Sequence, residues 1–227
     1  GASEPAADVK LEPRPLKELL SSYGFWLLLI GSVCSIGSIG AINFHMKFVF
    51  LDQGFTTGPM VDSAWRTASI MILWSSIAGR LSIGYFSDKF SKKWVMFWSY
   101  FITAATIPLM LMVHPGSEMT LYAFAILFGF GMGADYMMIP LIAADQFGVN
   151  SLARAMAVIL PANTIGQTWF PYFVSILRES YGSYKVAMGT VLAVAAIGAI
   201  SIALLPKQSK LAISPQMQES GKAQIKS

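Results

Sequence analysis

The sequence predicts an all-α protein embedded in a bilayer, with six membrane-crossing helices. Apolar residues make up 55% of the 227 and charged residues only 12%, and mean hydropathy is +0.57. The apolar residues gather in six runs, at roughly 24–50, 59–87, 94–113, 119–146, 152–177 and 184–205, each long enough for the ~20 residues a helix needs to cross ~30 Å of hydrocarbon. In lipid the backbone must satisfy its own polar groups, and runs of this length do so as helices rather than as barrel strands.

Residues 1–22 are expected to be a solvated, cytoplasmic linker or tail, with Glu4, Asp8, Lys10, Glu12, Arg14, Lys17 and Glu18 among three prolines. They hold no charged-then-apolar leader with a cleavage site, and the start at Gly1 suggests a processed chain or a fragment. The first run is then a true membrane helix. It contains Cys34, the one cysteine, which has no internal partner for a disulfide. The second run carries Arg80 and ends at Asp88-Lys89, and Lys92-Lys93 precede the third. The fourth run holds Gly129-Phe130-Gly131-Met132-Gly133, then Asp135 and Asp145, and the fifth has Asn163 and Gln167 between Pro161 and Pro171. The sixth is apolar beyond Lys185 apart from Thr190 and Ser201, and closes a domain of residues 23–205. Residues 206–227, rich in Lys, Ser and Gln, are expected to be a second cytoplasmic tail.

Orientation follows from where Lys and Arg fall. With the first tail inside, the inner face collects Lys10, Arg14, Lys17, Lys89, Lys92, Lys93, Arg154, Lys207, Lys210, Lys222 and Lys226, against Lys47, Arg66, Arg178 and Lys185 outside. Both termini are expected in the cytoplasm, and the cell membrane is the expected location. The net charge of +4 is then a topology signal and calls for no nucleic acid. An intramembrane enzyme is excluded as the leading reading: there are only two histidines, His45 and His114, with no metal-binding spacing and no nucleophile beside a base. No cofactor or metal is expected. The glycine-rich Gly129–Gly133 stretch follows no strand, and its small-xxx-small spacing fits packed helices rather than a phosphate cradle.

The segment Gly84-Tyr85-Phe86-Ser87-Asp88-Lys89-Phe90-Ser91-Lys92-Lys93 resembles the loop signature of the major facilitator superfamily, although Ser91 stands where glycine is usual. Further motifs run in the same order: Asn43-Phe44-His45, Asp52-Gln53-Gly54-Phe55-Thr56, Gly79-Arg80, Gly129 to Asp135, Gln146-Phe147-Gly148 and Gly182-Ser183-Tyr184. Together they are similar to the C-terminal half of such a carrier, closest to the monocarboxylate and oxalate/formate branch. The resemblance implies half of a twelve-helix bundle, with a missing N-terminal six-helix half, or a second copy, as partner. It also implies a small organic anion as substrate, carried with protons or by exchange through alternating access. A transport-inactive receptor on the same fold, a channel, and a carrier of a non-carboxylate solute are the other readings.

The ionisable residues inside the runs are the candidates for chemistry, because each is costly in lipid and usually faces a cavity. Arg80 lies ~12 Å above the inner end of its helix. Its guanidinium could hold a carboxylate by two parallel bonds, the role the resemblance implies, or it could snorkel to headgroups. Asp135 is expected at similar depth and facing Arg80 across one cavity, so that arriving substrate would weaken the pair and let Asp135 take a proton; a static ion pair is the alternative. Related sequences carry a second acid where this chain has Met137. His45 is expected to contact substrate or to be a satisfied structural histidine, with Lys47 snorkelling outward. Asn163 and Gln167, spaced i, i+4, form one polar strip suited to substrate oxygens or to bonds between helices. The resemblance implies a lysine near Asn163 in oxalate carriers, so its absence argues against a dicarboxylate. Gly84, Asp88, Lys89, Lys92, Lys93 and Arg154 form the expected gating motif, with Gly84 at a close helix contact and Asp88 paired with Arg154 or favouring a helix N-terminus.

Overall fold

The computed structural model describes residues 14–56 and 58–206. Among them are seven helices: α1 (Leu16–Ser21), α2 (Tyr23–Asp52), α3 (Gly58–Lys89), α4 (Lys92–Leu111), α5 (Glu118–Phe147), α6 (Val149–Tyr181) and α7 (Tyr184–Ala203). No strand occurs among the described residues. The six long helices correspond to the six apolar runs, but α2, α4, α5 and α7 are the four that are long and apolar enough to cross a membrane by composition. The polar residues responsible for the difference include Asp62, Arg66, Arg80 and Asp88 on α3 and Arg154, Asn163, Gln167, Arg178 and Glu179 on α6.

The expected tail at 1–22 needs correction over its last part. α1 lies against α2 and α6, with the Leu19 side chain buried. The Arg14 backbone N–H donates to Ser151 Oγ at 3.0 Å and Arg154 donates to the Arg14 carbonyl at 2.8 Å. One apolar side chain and two long-range bonds thus fasten this segment to the start of α6. Residues 1–13 and 207–227 lie outside the described residues, as does most of each expected tail.

Two three-helix units repeat. α2, α3 and α4 have 30, 32 and 20 residues, and α5, α6 and α7 have 30, 33 and 20. Three helices reverse the chain direction, so the second unit is inverted relative to the first. Each unit's first helix packs mainly on the other unit's second helix, α2 on α6 and α5 on α3, while α4 and α7 pack on each other. This is the inverted-repeat arrangement used by membrane carriers.

The crossings are set by small residues, since in lipid close backbone approach replaces the hydrophobic effect as the packing force between helices. A Cβ on Gly133 would stand 2.1 Å from the Ser76 carbonyl oxygen, and one on Gly40 2.7 Å from that of Gln167. These are equivalent contacts: Gly40 to Gly133 is the same interval as Asp52 to Asp145. At the next layer the residues are exchanged, Phe170 lying on Gly37 in one crossing and the Phe130 backbone on Gly79 in the other. The ends repeat too. Asp52 Oδ2 at the end of α2 accepts from the Tyr184 N–H at the start of α7 (3.2 Å), and Asp145 at the end of α5 pairs with Lys92 at the start of α4 (2.8 Å).

Short turns join the antiparallel helices. Gly148 (φ +85°) between α5 and α6 and Gly182 (φ +68°) after α6 adopt the left-handed backbone that side chains disfavour.

Gly133→Ala is expected to lower unfolding stability in detergent by roughly 1–3 kcal/mol, because the new methyl meets backbone that cannot yield locally. Gly84→Ala, where nothing stands within 4 Å, is expected to leave stability unchanged or slightly raised. Thermal unfolding of the two variants in one detergent checks both.

Candidate functional site

On α3 the residues Ile72, Ser76, Gly79, Ile83 and Ser87 are buried at helical spacing, forming the stripe that meets α5. Arg80 follows Gly79 and therefore points off that stripe, where it is exposed. Among the described residues no carboxylate stands within 4 Å of it. It lies on α3, which packs on the α5 helix that carries Tyr136.

Tyr136 belongs to a cavity of about 370 Å³ between α2, α5 and α6, lined with Ile36, Pro140, Asn163 and Gln167. Gln167 Nε2 donates to the Tyr136 hydroxyl at 2.9 Å. Whichever way the amide is turned, this pair leaves two donors and at least one acceptor for an occupant. Asn163 is buried, with its Oδ1 2.9 Å from the Ser32 hydroxyl of α2. The i, i+4 strip of Asn163 and Gln167 is thus brought to one wall, with Tyr136 beside it, while Arg80 is not among the lining residues. Tyr136 is not among the residues expected from the sequence. The available signal was a phenol in an apolar helix, since a buried hydroxyl needs a partner.

Asp135 occupies a different place, which corrects the expected pair with Arg80. One residue along a helix turns the side chain by ~100°, so while Tyr136 faces the cavity, Asp135 points into the bundle. It is fully buried. Its Oδ2 accepts from Ser35 Oγ of α2 at 2.6 Å, and the Tyr100 hydroxyl of α4 faces the same carboxyl. Asp135 Oδ1 and the Tyr100 hydroxyl have no bond of good geometry among the described residues. Three helices therefore converge on one acidic group that lacks a cation.

His45 is also buried and has no free ring nitrogen. Nε2 lies 2.8 Å from the Pro171 carbonyl and must donate to it, so Nδ1 accepts from the Tyr184 hydroxyl at 3.1 Å. This joins α2 to α6 and α7 and corrects the expected substrate contact: the imidazole is already saturated. His45 lines a separate cavity of about 340 Å³ with Asp52, Arg178 and Tyr184. Lys47 does not snorkel alone, because it pairs with Asp62 of α3 at 2.5 Å.

The expected gating motif is divided. Asp88 is exposed and makes no pair with Arg154, since α3 packs on α5 and not on α6, while Arg154 bonds the Arg14 carbonyl. No atom lies within 4 Å of a Cβ placed on Gly84, so the close helix contact expected there is absent among the described residues. Lys89 donates to the Tyr85 hydroxyl. Lys92 pairs with Asp145, and Lys93 Nζ donates to the Leu205 carbonyl after α7 at 2.5 Å. Two cations at the start of α4 oppose its own dipole, but they lie beside the C-terminal ends of antiparallel α5 and α7, which favour them.

No group of three or more His, Cys, Asp or Glu side chains among the described residues is arranged to hold a metal ion. No curated protein matches the chain at a significant level. The profile described as Major Facilitator Superfamily matches residues 28–227, which takes in most of α2, all of α3 to α7, Arg80 and the cavity lined by Tyr136, Asn163 and Gln167. On that match the chain belongs to the Major Facilitator Superfamily, a family of membrane transporters.

Proposed function

We propose that this chain is the C-terminal six-helix half of a secondary carrier for a small, monocarboxylate-like organic anion, coupled to protons or working by exchange. The observation that carries the reading is Arg80: a guanidinium with no carboxylate partner among the described residues, on α3, which packs on α5, whose Tyr136 walls a cavity with Asn163 and Gln167. An intramembrane arginine is expected to be neutralised. A carboxylate entering the cavity would supply the missing charge and two acceptor oxygens in one plane. In this reading all six long helices cross the membrane, α3 and α6 doing so with their polar residues turned to the substrate path.

A partner half would cover the face on which Arg80 lies. The exposed Leu81 and Trp74 of α3 and Trp169 and Ile165 of α6 suit such an interface, and binding sites between two halves are the rule for this architecture. Arg14 and Pro206 lie at one end of the bundle, and that end also holds Lys17, Lys89, Lys92, Lys93 and Arg154, against Lys47, Arg66, Arg178 and Lys185 at the other. In this reading the end with the larger basic share faces the cytoplasm, as positive-inside charge bias favours. Asp135 is the proton-carrying group of this reading, acting within the Ser35–Tyr100 cluster rather than by releasing Arg80.

Uptake of labelled small carboxylates into proteoliposomes, with the chain joined to its N-terminal half, tests the function. Saturable uptake is expected; its absence from well-folded protein would overturn the reading. Arg80→Lys keeps the charge but loses the paired geometry, and is expected to weaken anion transport by about 10- to 100-fold, the worth of one charge-assisted bond. Wild-type uptake would remove Arg80 as the anchor. Asp135→Asn is expected to abolish the response of uptake to an imposed pH gradient, and an unchanged response would dismiss its proton role.

A further inference from the structure

α3 and α4 are joined by a short turn, yet they pack mainly on α5 and little on each other. The gap is a groove of about 400 Å³ lined by Phe86, Phe90, Trp94, Trp98 and Ile102, with Phe130 of α5 contributing to its wall. Along α4 it extends from Trp94 to Ile102, ~12 Å of helix. Trp94 and Trp98 remain about half exposed, at 50% and 55%, as indoles at a membrane interface do.

Cations stand at one end of this groove. Lys93 Nζ is 5.8 Å from the centre of the Trp94 ring that lines it, and Lys89 is next to Phe90 and lies over the Tyr85 ring at 4.4 Å. Each has one N–H engaged, with the Leu205 carbonyl and the Tyr85 hydroxyl respectively, so two remain on each ammonium. Lys92 is neutralised by Asp145. Asp88, the one carboxylate next to them in the sequence, is exposed and in no ion pair among the described residues, so even counted against one lysine it leaves one positive charge in excess beside an apolar slot.

We propose that this groove binds a phospholipid with a singly negative headgroup, its acyl chain between α3 and α4 and its phosphate at Lys89 and Lys93. The slot takes a chain and not a polar solute, because its walls are aromatic and aliphatic. The excess charge selects an anionic headgroup over a zwitterionic one. The proposal rests on the membrane setting of the chain and is independent of the substrate that it carries.

The experiment uses the full chain in detergent micelles, titrated with brominated-chain phosphatidylglycerol or phosphatidylcholine while tryptophan fluorescence is followed. Phosphatidylglycerol is expected to quench at lower mole fraction, and Trp98→Phe to reduce the quenched part. Lys89→Gln, at an exposed position, is expected to raise the phosphatidylglycerol required about fivefold and to leave the phosphatidylcholine titration unchanged. Identical titrations with the two lipids, or an unaltered preference in Lys89→Gln, would overturn the proposal, as would quenching that is indifferent to Trp98→Phe.

Discussion

The contact of Gly133 with the Ser76 backbone, and its repeat at Gly40 and Gln167, is the constraint on which the other features depend. Lipid is as apolar as the side chains it would release, so helices gain little from hiding leucine and must gain from close contact instead. A glycine at each crossing lets carbonyl oxygens and Cα atoms of two helices come within ordinary contact distance. Once α5 lies this near α3, its neighbouring residues have assigned directions. Asp135 is carried inward to Ser35 and Tyr100, and Tyr136 outward to the cavity.

The inverted repeat makes the two crossings equivalent and lets their differences be read as specialisation. The backbone contacts and the end-to-end ties of Asp52 and Asp145 are shared. The polar content is not: Arg80 on α3 has Pro171 as its counterpart on α6, and Asn163 and Gln167 are on α6 alone. A cavity walled by neutral amides and a phenol, with a guanidinium on the helix that packs against α5, results from a symmetric scaffold with asymmetric side chains. Its chemistry suits an occupant that brings negative charge and hydrogen-bonding oxygen.

Interpretation of the ionisable residues divides by what each does for the bundle. His45, Lys47 and Lys92 each join two or three helices, and their charge or ring nitrogens are largely engaged in doing so, whereas Lys93 joins two through a neutral carbonyl that leaves its charge unbalanced. Arg80 and Asp88 join none among the described residues. An unpaired charge within or at the end of a membrane helix is retained only where some partner repays its desolvation. For Arg80 the proposed partner is the substrate. The basic end near Asp88 has an apolar groove as its neighbour.

Hydropathy and the glycine and charge motifs, read from the sequence alone, determined the all-helical class, the six long helices to within a few residues, and the family. They did so because those features are local: run length, turn glycines and the Asp88–Lys93 segment are properties of contiguous residues. The Asn163–Gln167 strip was legible for the same reason, as i, i+4 spacing is fixed within one helix. Only the tertiary structure decided that Asp135 and Arg80 do not meet, that His45 is saturated and that Asp88 and Arg154 lie apart. Depth along a helix follows from counting residues, but the direction of a side chain around the axis depends on which neighbour the glycines admit. That choice is made between helices far apart in the chain, and no local pattern records it.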